Sequence, residues 1–219
     1  MIKFENLEIV GWKPAIRGMR NPLNSWDQSD SYPTHIEDTD TLETAEYSFV
    51  IGEKDLKLME TLAKGGRSHA KFRRMIGVYV DITAPLYWWK EFDTYKVGTV
   101  ANSCSTMHTI HTKPLSMDNF SIDHLMEQSK LCLQNTINTI NYFRDEYNET
   151  GDKSYWWQMI QLLPSSFNQK RTVLLNYEVL SAIYEQRKNH KQDEWRKMCA
   201  WIEDLPYAPE LILLNDENE

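Results

Sequence analysis

The most reactive combination in this chain is a thiol among hydroxyls, Ser103-Cys104-Ser105-Thr106. Hydrogen-bond donors around a cysteine favour the thiolate, which is the nucleophilic form. The other reading of Cys104 is a small buried thiol packed beneath its loop. His108 and His111 follow at C-x3-H-x2-H spacing. That spacing lacks a fourth ligand and matches no standard zinc finger, so no metal is expected. A second group is cationic. Arg67, Lys71, Arg73 and Arg74 crowd one short segment, either as a solvated turn or as a grip for a single phosphate.

Both groups belong to one stretch, Arg67 to His111, and its elements must position them. A basic turn leads into an apolar strand expected over Met75–Ile82. Ala84-Pro85 should break that strand, because proline fixes φ and offers no ladder N–H. Leu86–Phe92 reads as a short aromatic helix, and Lys96–His108 as a loop of small polar residues. A hydroxyl-rich loop held by a rigid strand and helix is where small-ligand sites are usually built.

The rest of the chain alternates helical and strand patterns. A strand is expected within Ile2–Gly11, and a helix through Ile16, Arg17 and Met19 with Pro14 in its first turn. Asn21–Thr41, rich in Asn, Asp, Ser and Pro, reads as a long flexible loop or flap. Glu46–Ile51 reads as a strand and Asp55–Ala63 as a helix closed by Gly65-Gly66. Helical spacing returns over Ser121–Tyr147, with Leu131, Ile137, Ile140 and Phe143 as its inward face, and over Lys153–Leu163, ending at Pro164. Arg171–Asn176 suits a strand. Tyr177–Arg187 and Gln192–Asp204 suit helices, and an acidic tail spans 215–219. Trp88-Trp89 and Trp156-Trp157 are expected as core or subunit contacts. No repeat or composition break divides residues 1–219, so one domain of mixed helix and sheet is expected.

Composition narrows the function classes. A formal charge of −8 over 219 residues argues against binding polymeric nucleic acid, though one or two cations can still hold a mononucleotide. Three widely spaced cysteines suggest a reducing compartment. No apolar run reaches membrane-spanning length, and MIKFENLEIV has no signal-peptide core, so a soluble cytoplasmic protein is expected.

Several of these segments resemble the flavin-dependent thymidylate synthases of the ThyX type. AIRGMR, Ala15–Arg20, is similar to that family's A-x-R-x-A-R helix, and Gly66-Arg67-Ser68-His69 to its H-G-H turn. Val80–Leu86, ending TAPL, is similar to the strand ending K-A-P-I. Leu162–Pro164, Asn176, Arg187 and HKQDEWR (His190–Arg196) follow the order of V-L-P, N, L-R and A-Q-x-E-I-R. The resemblance implies an α+β fold, with a central, mostly antiparallel sheet and long flanking helices.

The defining signature R-H-R-x-x-S-x-N-E-x-S-x-R aligns with Thr94–Thr106 and departs from it. Thr94 and Tyr95 replace Arg and His, while Lys96 keeps a cation. Cys104 stands for the serine beside the nucleotide and Thr106 for the arginine that grips it. Glu91 replaces a glutamine, and Ile160 and Glu178 replace two further arginines. Neither Thr nor Ile can form the bidentate fork an arginine offers phosphate.

The resemblance therefore implies an FAD-dependent methyltransferase in dTMP biosynthesis, carrying one carbon from methylenetetrahydrofolate to dUMP or a related pyrimidine deoxynucleotide, with NADPH as reductant. Cys104 and Arg187 are the candidate catalytic residues, the thiol by adding to C6 of the pyrimidine. His69, Tyr95, Lys96 and Asn176 are candidates for the cofactor. Glu91, Asn102, Ser103, Ser105, Thr106 and Arg187 are candidates for the nucleotide. His69 also suits an exposed turn, and Asn176 a helix N-cap. A homotetramer with shared sites is implied. The alternative is a nucleotide- or partner-binding protein on the same scaffold without flavin chemistry.

Overall fold

Alternation of buried side chains along one strand organises the sheet. In β4 (Gly77–Pro85), Val78, Val80, Ile82 and Ala84 are all essentially inaccessible and the residues between them are not. That period of two is the mark of a strand with one face on a core. The computed structural model describes residues 1–35 and 47–214. A four-stranded sheet runs in the order β1 (Lys3–Val10), β4, β6 (Asn168–Asn176), β5 (Val100–Ser103).

Contacts along the strands give its sense. Asn6 meets Asp81 while Gly11 meets Met75, and Thr172 meets Asp81 while Tyr177 meets Ile76. Cys104 pairs with Lys170, and Gly98 with Asn176. In each pair one number rises as the other falls, so all three pairings are antiparallel. A second sheet pairs β2 (Tyr32–His35) with β3 (Tyr47–Val50), also antiparallel.

Two compact units can be distinguished, and each has its own packing. The first comprises residues 1–7, 80–96 and 100–173. It holds α3 (Leu86–Phe92), α4 (Thr106–Thr109), α5 (Glu127–Thr150) and α6 (Lys153–Leu162). Trp88, Trp89 and Phe92 of α3 are buried against one another, with Trp88 stacked on Phe92 at 5.0 Å. The paired helices α5 and α6 enclose Ile110, Ile140 and Met159, with Trp156 and Ile160 packed on them. Ile137, Leu133 and Phe120 form a neighbouring cluster. Burying each such side chain contributes ~1.5–3 kcal/mol.

The second unit comprises residues 8–79, 97–99 and 174–219. Its described elements include α1 (Trp12–Arg20), α2 (Glu53–Lys64), a 3-10 helix at Ala70–Met75, α7 (Tyr177–Arg187), α8 (Asp193–Glu203) and α9 (Ala208–Leu211). Gly11 opens α1 at φ +96°, with a β-carbon position only 2.0 Å from the Met75 carbonyl oxygen, so the site admits glycine alone. Arg20 and Asp55 form a buried ion pair at 2.6 Å. Asp55 also accepts from the hydroxyls of Ser29 and Ser31 and from two backbone N–H groups.

Several expectations change. The central strand begins at Gly77, because Ala70–Met75 winds as 3-10 helix, and it ends at Pro85 rather than before it, the proline closing the strand where no further ladder N–H is needed. Asn21–His35 is not one loop: it makes two 3-10 turns, Asn21–Leu23 and Trp26–Gln28, then β2. The remainder of the expected flap, residues 36–41, and the tail at 215–219 lie outside the described residues. The helix expected from Ser121 begins at Glu127, and Leu131 is exposed, Leu133 taking its inward place. Lys96–His108 contains an edge strand and a helical turn rather than loop alone.

Candidate functional site

The Cys104 segment is an edge strand turning into a helical turn. Residues Val100–Ser103 are all exposed, as are Cys104 and Ser105. The thiol is thus not packed beneath its loop, which removes the buried alternative. Ser105 caps α4 by accepting from the His108 N–H, and the Cys104 N–H donates to the Lys170 carbonyl at 3.0 Å. Cys104 and Thr106 line a cavity of about 380 Å³ with Ile110, Phe167, Gln169 and Lys113.

Behind this segment lies a hydrogen-bonded relay. Gln169 Nε2 donates to the Cys104 carbonyl at 3.0 Å and to Thr106 Oγ1 at 3.3 Å. Arg171 Nε donates to Gln169 Oε1 at 3.0 Å, and its Nη1 to Asp93 at 2.8 Å. The Arg171 guanidinium lies 4.2 Å above the Trp89 ring, and Trp89 Nε1 donates to the Gln169 carbonyl. None of Gln169, Arg171, Asp93 or Trp89 was singled out from sequence as a site residue. The strand expected over Arg171–Asn176 in fact begins at Asn168, and only that extension puts Gln169 and Arg171 two apart on one face.

The cavity's electrostatics are modest. Lys170 lines it, but its ammonium sits 3.1 Å from Asp81 and 3.3 Å from Glu5. Hydrogen bonds from Thr172, then Asn6 and Lys170, hold the Asp81 carboxyl down at about 2. Lys113, exposed at the rim, is the lysine there that forms no such pair.

In the second unit, Asn176 caps α7, its Oδ1 accepting from Val179 N at 3.0 Å while its Nδ2 donates to Gly98 at 3.3 Å. One N–H and one lone pair of the amide remain. Arg187 stacks on Trp195 with its guanidinium carbon 4.5 Å from the ring centre. His69 is exposed at the start of the 3-10 helix. A cavity of about 540 Å³ is lined by Lys64, Arg67, Arg73, Glu178, Ser181 and Glu185, among others.

Arg73 does not act as a phosphate grip. It is buried, donating through Nε and Nη2 to Glu178 and through Nη1 to Ser181 and the Leu211 carbonyl. Four of its five N–H groups are therefore used within the fold. Ile160 is likewise taken up by the core of its unit. Two positions where the resemblance leads one to expect an arginine thus serve packing and charge pairing.

Of the residues expected at a site, Cys104 and Thr106 share one cavity, beside Asn102, Ser103 and Ser105 on the same edge segment. Glu91, Tyr95 and Lys96 belong to the same unit, and His69, Asn176 and Arg187 to the other. Lys96 and His69 are exposed and Tyr95 is half-buried. Of the cofactor candidates, Lys96 offers an ammonium in the first unit, while His69 offers an imidazole and Asn176 a spare amide N–H in the second. Among the described residues, no three His, Cys, Asp or Glu side chains gather as metal ligands, and no helix is long and apolar enough to cross a membrane.

No protein-family model matches the chain, and no curated protein does. Solved structures match over nearly its whole length. Thymidylate Synthase X from Helicobacter pylori, solved with FAD and dUMP, superposes with a TM-score of 0.68 at 14% identity, covering 99% of this chain and 98% of that one. A second structure of the Helicobacter pylori enzyme with FAD and dUMP gives 0.65 at 16% identity, covering 97% and 99%. A UMP/dUMP methylase, PolB, from Streptomyces cacaoi bound with 5-Br dUMP gives 0.57 at 11% identity, covering 98% and 94%. The chain has the ThyX-like α+β fold.

Proposed function

We propose that this chain is a divergent flavin-dependent thymidylate synthase-like enzyme that transfers one carbon from methylenetetrahydrofolate to a pyrimidine deoxynucleotide, dUMP or a close relative. The observation that carries this reading is the end-to-end likeness in fold to proteins solved with FAD and dUMP. When bound, FAD would supply electrons taken from NADPH. Lys96, His69, Tyr95 and Asn176 would hold it, in a homotetramer whose subunits share sites.

The nucleotide would lie against Asn102–Thr106, with Glu91 of the same unit as a further candidate, and Arg187 is by resemblance the candidate for the pyrimidine ring. The exposed Cys104 thiolate would add to C6, raising electron density at C5 where the carbon is received. Loss of the C5 proton together with tetrahydrofolate would leave an exocyclic methylene, and this would become the methyl by taking up a hydride equivalent from the reductant as the Cys104 thiolate leaves C6.

One observation favours a second reading, a nucleotide-binding protein without flavin chemistry. Glu178 and Ile160, where resemblance leads one to expect arginines, are committed to the fold. The absorption spectrum of the purified protein separates the two. Flavin bands that shift on adding dUMP, and weaken in Arg187→Ala or Asn176→Ala, support the enzyme. A colourless protein that takes up no added FAD but still binds dUMP supports the second reading.

A further inference from the structure

We propose that Gln169, held by Arg171, is a positioning residue that pins the Cys104 carbonyl and turns the Thr106 hydroxyl into a hydrogen-bond donor toward a ligand oxygen. The inference rests on reading the cavity beside Cys104 as the nucleotide pocket, and it adds residues that neither the resemblance nor that reading names.

The orientation of the Gln169 amide is set from both ends. Arg171 Nε has only a hydrogen to offer, so the amide atom 3.0 Å away is the oxygen. The Cys104 carbonyl can only accept, so the atom 3.0 Å from it is the amide nitrogen. The same nitrogen lies 3.3 Å from Thr106 Oγ1, which therefore accepts. A hydroxyl whose oxygen accepts keeps its own proton to give away. Thr106 lines the cavity, so that proton is available to an acceptor within it.

Arg171 cannot readily turn the amide over. Its guanidinium is stacked on the buried Trp89 and tied to Asp93 at 2.8 Å. The relay thus places a neutral donor where an arginine would have placed a charged one. Of the two lysines that line the cavity, Lys170 is paired with Asp81 and Glu5, which leaves Lys113 at the rim as the other positive charge. The ligand oxygen belongs to a phosphate or to a carbonyl or hydroxyl of the nucleoside.

The test is titration calorimetry of the full chain with dUMP and with deoxyuridine, on wild type, Thr106→Val, Thr106→Ser, Gln169→Glu and the Thr106→Val/Gln169→Glu double variant. Gln169→Glu keeps the Arg171 contact but accepts the Thr106 proton and turns it away from the ligand. Thr106→Val and Gln169→Glu should each weaken binding roughly tenfold, the loss of one hydrogen bond to a charged or polarised oxygen. The double variant should be no worse than the weaker single, and Thr106→Ser should bind as wild type. Weakening seen with dUMP alone assigns the oxygen to the phosphate; weakening with both ligands assigns it to the nucleoside.

Wild-type affinity in Gln169→Glu, or penalties that add in full, overturns the proposal. If wild type binds neither ligand, the nucleotide reading fails, and the relay is judged on Cys104 alkylation by iodoacetamide. Gln169→Ala and Arg171→Ala should then change that rate several-fold, and unchanged rates overturn it.

Discussion

Glu178 receives two hydrogen bonds from Arg73 on one carboxylate oxygen, at 3.0 Å from Nε and 2.7 Å from Nη2, with both side chains nearly buried. An arginine at position 178, as the resemblance leads one to expect, would face Arg73 with like charge. Removing the acid alone strands a buried guanidinium. Glu178→Ala should therefore cost ~3–5 kcal/mol, and Glu178→Gln less, because an amide oxygen still accepts. Urea unfolding of the two variants beside wild type measures both. An unchanged midpoint in Glu178→Ala would show that the pair contributes nothing.

A second buried carboxylate sets an acid limit. Burial pushes the Asp55 carboxyl up, but hydrogen bonds from Ser31, Ser29 and Arg20 together outweigh it, leaving the group below its ordinary 3.8. A depressed folded value means the stabilisation is complete above the unfolded value and is lost as pH falls through the folded one. Thermal midpoints of wild type should therefore drop below pH about 4. Asp55→Asn should be less stable near neutrality and should lack that part of the drop. Parallel curves for the two proteins would exclude Asp55 as the titrating group.

The three cysteines should separate by exposure and acidity. Burial, and then the nearby Glu203 carboxylate, push the Cys199 thiol up to about 11. Cys104 and Cys132 are exposed. Iodoacetamide applied to the native protein at mildly alkaline pH should modify Cys104 and Cys132 and spare Cys199, because the thiolate is the reacting form. Peptide mass spectrometry reads this directly. Labelling of Cys199 under native conditions would mean that α8 opens locally.

Gly98 and Asn176 should act as one unit. Gly98 has φ +82°, and a β-carbon there would stand 2.9 Å from Asn176 Nδ2 and 3.2 Å from a Val179 methyl. Gly98→Ala combines backbone strain with displacement of the cap, for a cost of about 1–3 kcal/mol. Asn176→Ala loses the cap and the hydrogen bond to the Gly98 carbonyl, about 1–2 kcal/mol. Since Gly98→Ala already disturbs the cap, the double variant should cost less than the two singles combined. Full additivity, measured by thermal unfolding, would show that Gly98 does not act through Asn176.

Periodicity is local, and what depends on it could be read in advance. The two-residue alternation of Val78, Val80 and Ile82, the span of α3 and α7, and the cap at Asn176 follow from neighbours within a turn or two. The inward face of α5 was read only in part. Leu131 and Leu133 both suit a helical stripe by type, and which one is buried depends on how α6 and the Phe120 segment pack.

The sequence by itself determined most of the helices, the central strand, the ThyX-like fold and the polar character of the segment around Cys104, because each rests on residue type, spacing or motif order. Only the tertiary structure decided what the charged and amide side chains do. Arg73 and Glu178 stand 105 positions apart, and Gln169 reaches Cys104 across 65. A cation written in sequence is equally a phosphate ligand or half of a buried pair. Its role is settled by whichever distant group the fold brings within hydrogen-bond reach, since a buried charge without a partner costs several kcal/mol. That is why Arg73 passed from candidate grip to buried brace, and Gln169 from a residue outside the expected strand to the one that donates to Thr106.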